Sequence, residues 1–129
     1  MSKENVSVVE AAYKELTDTG LEAFADYWTD DIEWRAMRGH WRGRKAGLAY
    51  MREWTDMFED FTTVPLELID AGDRKVVLYL RYRGRASGSG MDVPPEYFAI
   101  VLEIRDDKIA RAREYATRSE ALEAVGLRK

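Results

Sequence analysis

Near Phe61 the hydrophobic pattern of this 129-residue chain changes its period, from the spacing of a helix to the alternation of a strand. Before that point Val6, Val9, Tyr13 and Leu16, with Ala12 beside them, fall on one face of a helix over Glu4 to Thr19, ending near Gly20. Leu21, Phe24 and Trp28 repeat the spacing in a short second helix that Asp30-Asp31 ends. Ile32 to Met37 alternates as a first strand. After a turn at Arg38-Gly39-His40, a third helix is predicted over about Arg44 to Glu59, with Leu48, Met51, Trp54 and Phe58 on its apolar face. Three helices followed by a run of long strands is an α+β arrangement.

Four strands are predicted after Phe61. Thr62 to Asp70 turns through Ala71-Gly72-Asp73 into Lys75 to Arg85. The flexible end Ala86 to Gly90 leads to Glu96 to Arg105, where Pro94-Pro95 requires pairing to begin late or at a bulge. Asp106-Asp107 turns into the last strand, Lys108 to Arg118, and Ser119 to Val125 forms a helical tail. Three central strands are apolar on both faces for part of their length. The helices take one face. The other, carrying Val77, Tyr79, Tyr97, Ala99 and Val101, calls for a second copy of the chain.

The last strand concentrates the candidate chemistry. Ala110, Ala112, Glu114 and Ala116 form one face; Arg111, Arg113, Tyr115 and Thr117 form the other. A lone carboxylate among small side chains suits a pocket in which Glu114 moves a proton or recognises one polar group. It equally suits a structural acid paired with Arg35 or bonded to Tyr13. His40, the only histidine, is a second candidate proton-transfer group near the pocket mouth. Trp28, Trp34, Trp54, Phe58, Tyr82 and Phe98 either line an apolar cavity or meet and close it. Arg35, Arg38, Arg42, Arg44 and Lys45 read as a solvated face balancing Asp30, Asp31 and Glu33, or as a field steering an anion. Cross-strand pairing with Glu103 accounts for Arg81, Arg83, Arg111 and Arg113.

Composition removes other chemistries. With no cysteine and one histidine, disulfides, thiolate nucleophiles and His- or Cys-based metal sites are excluded, and no cofactor is expected. A net charge of −4 argues against nucleic acid, whose binding rests on phosphate neutralisation. Gly84 to Gly90 lacks the lysine of a phosphate loop. No apolar run is long enough to span a membrane and the start of the chain is polar, so the expected location is the cytoplasm. The length suits one domain, residues 1–129.

Several segments resemble the SnoaL-like branch of the nuclear transport factor 2-like superfamily, which includes ketosteroid isomerases and polyketide cyclases. They are Val9-Glu10-Ala11-Ala12-Tyr13, Thr29-Asp30-Asp31-Ile32-Glu33-Trp34, Trp41-Arg42-Gly43-Arg44-Lys45-Ala46, Ile69-Asp70-Ala71-Gly72-Asp73-Arg74 and Arg105-Asp106-Asp107-Lys108-Ile109. The resemblance implies a cone: a curved mixed or antiparallel sheet wrapped around three N-terminal helices, with a pocket at the wide end and often a dimer through the outer sheet face. It also implies what this chain lacks. The catalytic aspartate of ketosteroid isomerases falls at Ala36, their oxyanion-hole tyrosine near Ala12 and their protonated aspartate near Ile100. Glu114 falls where related polyketide cyclases carry an acid/base residue on the last strand.

Two functions follow. The first is a small-molecule-binding protein whose apolar pocket, lined by Tyr13, Trp34, Trp54, Tyr82 and Ile100, contains one carboxylate. The alternative is a cofactor-independent isomerase, cyclase or dehydratase acting on an apolar ring-containing substrate, with Glu114 as general acid/base and His40 as its candidate helper.

Overall fold

The structure, a computed structural model, describes residues 2–37 and 39–127, with side chains from Glu4 onward. The element order is α1 (Ser2–Asp18), α2 (Leu21–Ala25), β1 (Trp28–Ala36), β2 (Gly39–Arg42), α3 (Arg44–Thr55), β3 (Phe58–Gly72), β4 (Lys75–Ala86), β5 (Asp92–Arg105), β6 (Lys108–Tyr115) and α4 (Arg118–Ala124). The six strands form one sheet in the order β2-β1-β6-β5-β4-β3. Only β1 and β6 run parallel; every other neighbouring pair is antiparallel. The sheet is therefore mixed, and the α+β cone expected from the sequence is the fold found.

The inner face holds α1, α2 and α3. Val9, Ala12 and Tyr13 of α1, Phe24 of α2 and Met51 of α3 are buried against Val76, Leu78, Leu80, Ile100 and Leu102. These are the i, i+3, i+4 positions of the helices meeting alternate positions of β4 and β5. No described helix is long and apolar enough to cross a membrane.

Four local expectations are corrected. Trp28 opens β1 rather than closing α2, and Asp30-Asp31 lies inside that strand. An irregularity between Trp28 and Glu33 absorbs the two acids where β1 joins β6. Gly39–Arg42 is a strand and not a turn. Its hairpin sets Trp41 opposite Trp34 and buries it, a gain in apolar area that turn propensity does not register. Phe58 belongs to β3, not α3. Its ring still meets Trp54, with centroids 6.1 Å apart, so the contact inferred from helical spacing survives with a different backbone. In β6 the register shifts so that Ile104 faces Ile109 while Glu103 faces Arg111. Ile109 takes the inner position expected for Ala110, and Ala112 and Glu114 follow on that side.

The outer face is not left to a second copy alone. Thr117 caps α4 by accepting a hydrogen bond from the Glu120 backbone N–H at 3.1 Å. The helix then lays Ala121 and Leu122 over Val77 and Ala99, both fully buried within the chain. Arg118 clamps it to β3 through both Glu67 oxygens, at 2.5 and 2.9 Å. Of the patch expected to be exposed, Tyr79 and Val101 are half-buried and Tyr97 is open. The prolines behave as expected: pairing of β5 with β4 is broken between Tyr82 and Gly84, beside Pro94-Pro95.

Candidate functional site

Between the three inner helices and the sheet lies an open cavity of about 500 Å³. The cone is not filled by its aromatic side chains. All five expected lining residues reach the cavity: Tyr13 from α1, Trp34 from β1, Trp54 from α3, Tyr82 from β4 and Ile100 from β5. Glu114 of β6 lies in the same wall.

Glu114 is held by β1 and the residue that follows it. The Trp34 indole Nε1 donates to Oε2 at 2.9 Å, and the Met37 backbone N–H donates to Oε1 at 3.3 Å. The expected partners, Arg35 and the Tyr13 hydroxyl, do not supply these bonds. Arg35 is one residue from inward-facing Trp34, so it points to the outer face and is exposed. Among the described residues no cation pairs with Glu114. Burial pushes its carboxyl above the usual range, and the two N–H donors offset only part of that shift. Burial, then the Glu114 charge, pushes the Tyr13 phenol up. Tyr82 is raised by burial, Glu96 and Glu114 in turn. The cavity wall therefore holds one acid and three phenols, two of which, Tyr13 and Tyr82, are pushed further toward the neutral form.

The indole that holds Glu114 is itself fixed. Trp34 and Trp41 stack with centroids 5.4 Å apart at 12°. Trp28 closes the group at 6.2 Å from Trp34 and 5.4 Å from Trp41. Gly47 of α3 admits the Trp41 ring, since a Cβ there would stand 2.2 Å from it. A short side chain on one helix thus makes room for the ring behind the acid.

Other expectations are corrected. His40 lies outside the cavity, on the outer face of β2, with Nε2 3.0 Å from Glu33 Oε2. Because inward-facing Trp41 follows it, His40 must point away. Glu33 also meets Arg42 at 3.4 Å and Arg111 at 3.6 Å, and His40 and these cations hold its carboxyl below the usual range. Arg44 pairs with Asp26 at 2.9 Å, so the described members of the basic cluster form a solvated face; Arg38 lies outside the described residues. Arg111 reaches Glu103 at 3.9 Å, as expected across the strands. The alanines of β6 do not line the cavity: Ala112 is sealed between Trp34 and Leu102, and Ala116 is exposed beyond the strand end.

Sequence reasoning missed Thr63, Phe61, Met37 and Met57 in the cavity wall. Thr63 was open to discovery, because it pairs with Tyr82 and shares its face. Met37 and Met57 sit in connections, just past the ends of β1 and α3, where the periods read from the sequence no longer apply.

The profile of the SnoaL-like domain matches residues 9–112, from the first helix into the last strand. No curated protein matches the chain significantly. Solved structures with the same fold include a protein from Catenulispora acidiphila DSM 44928 with a ketosteroid isomerase-like fold, in complex with trimethylamine. It is 20% identical, with TM-score 0.73 over 93% of this chain and 92% of that one. A proposed SnoaL-like polyketide cyclase from Jannaschia sp. CCS1 is 16% identical, with TM-score 0.77 over 96% and 92%. An NTF2-like protein of unknown function from Burkholderia pseudomallei K96243 is 16% identical, with TM-score 0.76 over 95% and 98%. With the profile spanning most of the sequence, the chain belongs to the SnoaL-like domain family, and its fold is that of these ketosteroid isomerase-like and NTF2-like neighbours.

Proposed function

We propose that this protein binds a small, mostly apolar, ring-containing molecule in the cavity, with Glu114 as the one ionisable contact. The observation that carries the reading is the cavity itself: about 500 Å³, walled by aromatic and aliphatic side chains around a single carboxylate. That size falls within the range of small-molecule sites, roughly 300–1,000 Å³. A neighbour of the same fold was solved with a small molecule, which supports a binding role for this architecture. The proposal includes no cofactor, a cytoplasmic location and a homodimer through the part of the outer face that α4 leaves open.

An environment-sensitive apolar dye tests the binding reading. The native protein is expected to take up one equivalent, and Thr55→Trp, which places a large ring in the cavity wall, is expected to exclude it without changing the circular dichroism spectrum. A folded native protein that takes up no dye would overturn the reading.

One observation favours a second, enzymatic reading. The Glu114 carboxyl lies in the cavity wall and burial has raised it, as happens to carboxyls that serve as general acids and bases. On this reading Glu114 is the general acid/base of an isomerisation, cyclisation or dehydration, and the aromatic walls hold the ring in its reactive pose. Deuterium exchange at the α-carbon of a panel of cyclic ketones, followed by NMR, checks it. Native protein should accelerate exchange of at least one member and Glu114→Gln should not, while both bind it. Equal acceleration by both proteins would remove Glu114 from the role.

A further inference from the structure

We infer that the molecule this cavity is built to hold carries a positive charge: a tertiary or quaternary alkylammonium group on a small apolar body. The inference rests on the binding reading above and adds the chemical class of the ligand.

The first argument is charge. Among the described residues that line the cavity there is no Lys, Arg or His, and Glu114 is the only carboxyl group. Its two hydrogen-bond donors, the Trp34 indole and the Met37 backbone N–H, are neutral. Among the described residues the ionised carboxylate is thus removed from water without a countercharge, which is costly. A neutral ligand leaves that deficit standing and an anion deepens it. A cation removes it.

The second argument is the shape and kind of the wall. Trp54 meets Phe61 at 5.0 Å and 73° and Tyr82 at 5.1 Å and 69°, and Tyr82 meets Phe98 at 5.7 Å and 76°. Rings set at such steep angles do not stack flat on one another, and all four of them line the cavity. Aromatic enclosures of this kind attract alkylated ammonium groups through the ring quadrupole. Met37 and Met57 at the rim add polarisable sulfur. A metal ion does not fit, because it needs several oxygen ligands and the described residues contain no cluster of metal-binding side chains. The remaining wall, including Leu16, Leu80 and Ile100, is mainly apolar, and its hydroxyls on Tyr50, Thr55 and Thr63 are neutral and carry no charge to hold a hydrated ion.

Binding is therefore coupled to the ionisation of Glu114. The groups facing it are Trp34 from β1 and Met37 just after it, Tyr13 from α1, Tyr82 from β4 and Ile100 across the strand pair on β5. Of these only the two phenols titrate, and both are pushed upward, away from the carboxyl's range. His40 lies on the opposite face of the sheet, against Glu33. A ligand of fixed charge should therefore bind more tightly as pH rises and Glu114 loses its proton, and each binding event should release a proton on the acid side of that titration.

Benzyltrimethylammonium and its uncharged carbon isostere, neopentylbenzene, share one shape and differ in charge. Each is titrated against dye-loaded protein across the pH range of a carboxyl. Above the Glu114 titration the cation is expected to bind at least about tenfold more tightly than the isostere. The preference should shrink as pH falls, and Glu114→Gln should lose both the preference and its pH dependence. Equal binding of the two ligands by the native protein at every pH overturns the cation proposal and leaves the binding reading intact. Failure of dye, cation and isostere alike defeats the binding reading itself. A preference that survives unchanged in Glu114→Gln overturns the role given to this carboxylate, and the pH dependence of the native protein decides the matter even if that variant does not fold.

Discussion

Glu114 carries a cost that stability measurements can read. Its carboxyl is raised in the folded chain, so the native state holds the proton more tightly than the unfolded state does. The stability this contributes is fully present below the ordinary carboxyl range and is lost as pH rises through the folded titration. Glu114→Gln has no such titration. The melting temperatures of the two proteins should diverge in the variant's favour as pH rises, and parallel curves would contradict the shift. A second residue-scale prediction concerns Gly47, whose substitution by Ala would drive a Cβ into the Trp41 ring at 2.2 Å. Overpacking of this kind costs about 1–3 kcal/mol, measurable by urea unfolding. Because Trp41 stacks on Trp34, which bonds Glu114, the same change should also weaken dye binding. Glu114 was legible in the sequence because a period of two on the last strand placed an isolated acid inside. His40 was not, because its direction depends on whether Gly39–Arg42 is a turn or a strand, and burial of Trp41 decides that from a distance.

The hairpins β3–β4 and β5–β6 are joined by turns whose central residues, Asp73-Arg74 and Asp106-Asp107, all have positive φ, from 51° to 63°. That conformation disfavours side chains bearing a Cβ and favours glycine. Asp107→Gly is expected to raise stability by about 0.5–1 kcal/mol, seen as an upward shift of a few degrees in melting temperature; a downward shift would show that the Asp107 side chain is needed in the turn. Both turns were visible beforehand as Asp-rich breaks between alternating runs. The place of α4 was not. Its sequence announces a helix, but strands apolar on both faces give no sign of which neighbour covers which side. The structure answers with Leu122 on the outer face, nearly fully buried. Leu122→Ala should cost about 2–3 kcal/mol and increase binding of an apolar dye to the uncovered sheet, a signal that Thr55→Trp in the cavity would not remove.

Across the whole molecule, the change of period near Phe61 was enough to place helices before a strand-rich half. It could not place β1, which lies early in the chain yet inserts beside β6, the last strand, as the single parallel pair. Such long-range pairing leaves no local trace, and the cone was legible through family resemblance instead. The same scale decides oligomeric state. With Val77 and Ala99 covered by α4, the outer face still presents Tyr97, 49% exposed and stacked on Tyr79 with centroids 6.2 Å apart. Val64 adds an exposed apolar side chain on the neighbouring edge strand. Two copies meeting there would bury stacked aromatics, the side chains that contribute most to interfaces. Each copy carries a net charge of −4, so the pair repels itself at long range and association should strengthen with added salt. Sedimentation at micromolar concentration is expected to give twice the 14.9 kDa of one chain. Tyr97→Glu and Tyr79→Glu, which place a charge in the proposed contact, should return the protein to a single copy without lowering its dye binding. A native protein that sediments as one chain at both low and high salt would show that α4 alone is cover enough for this face.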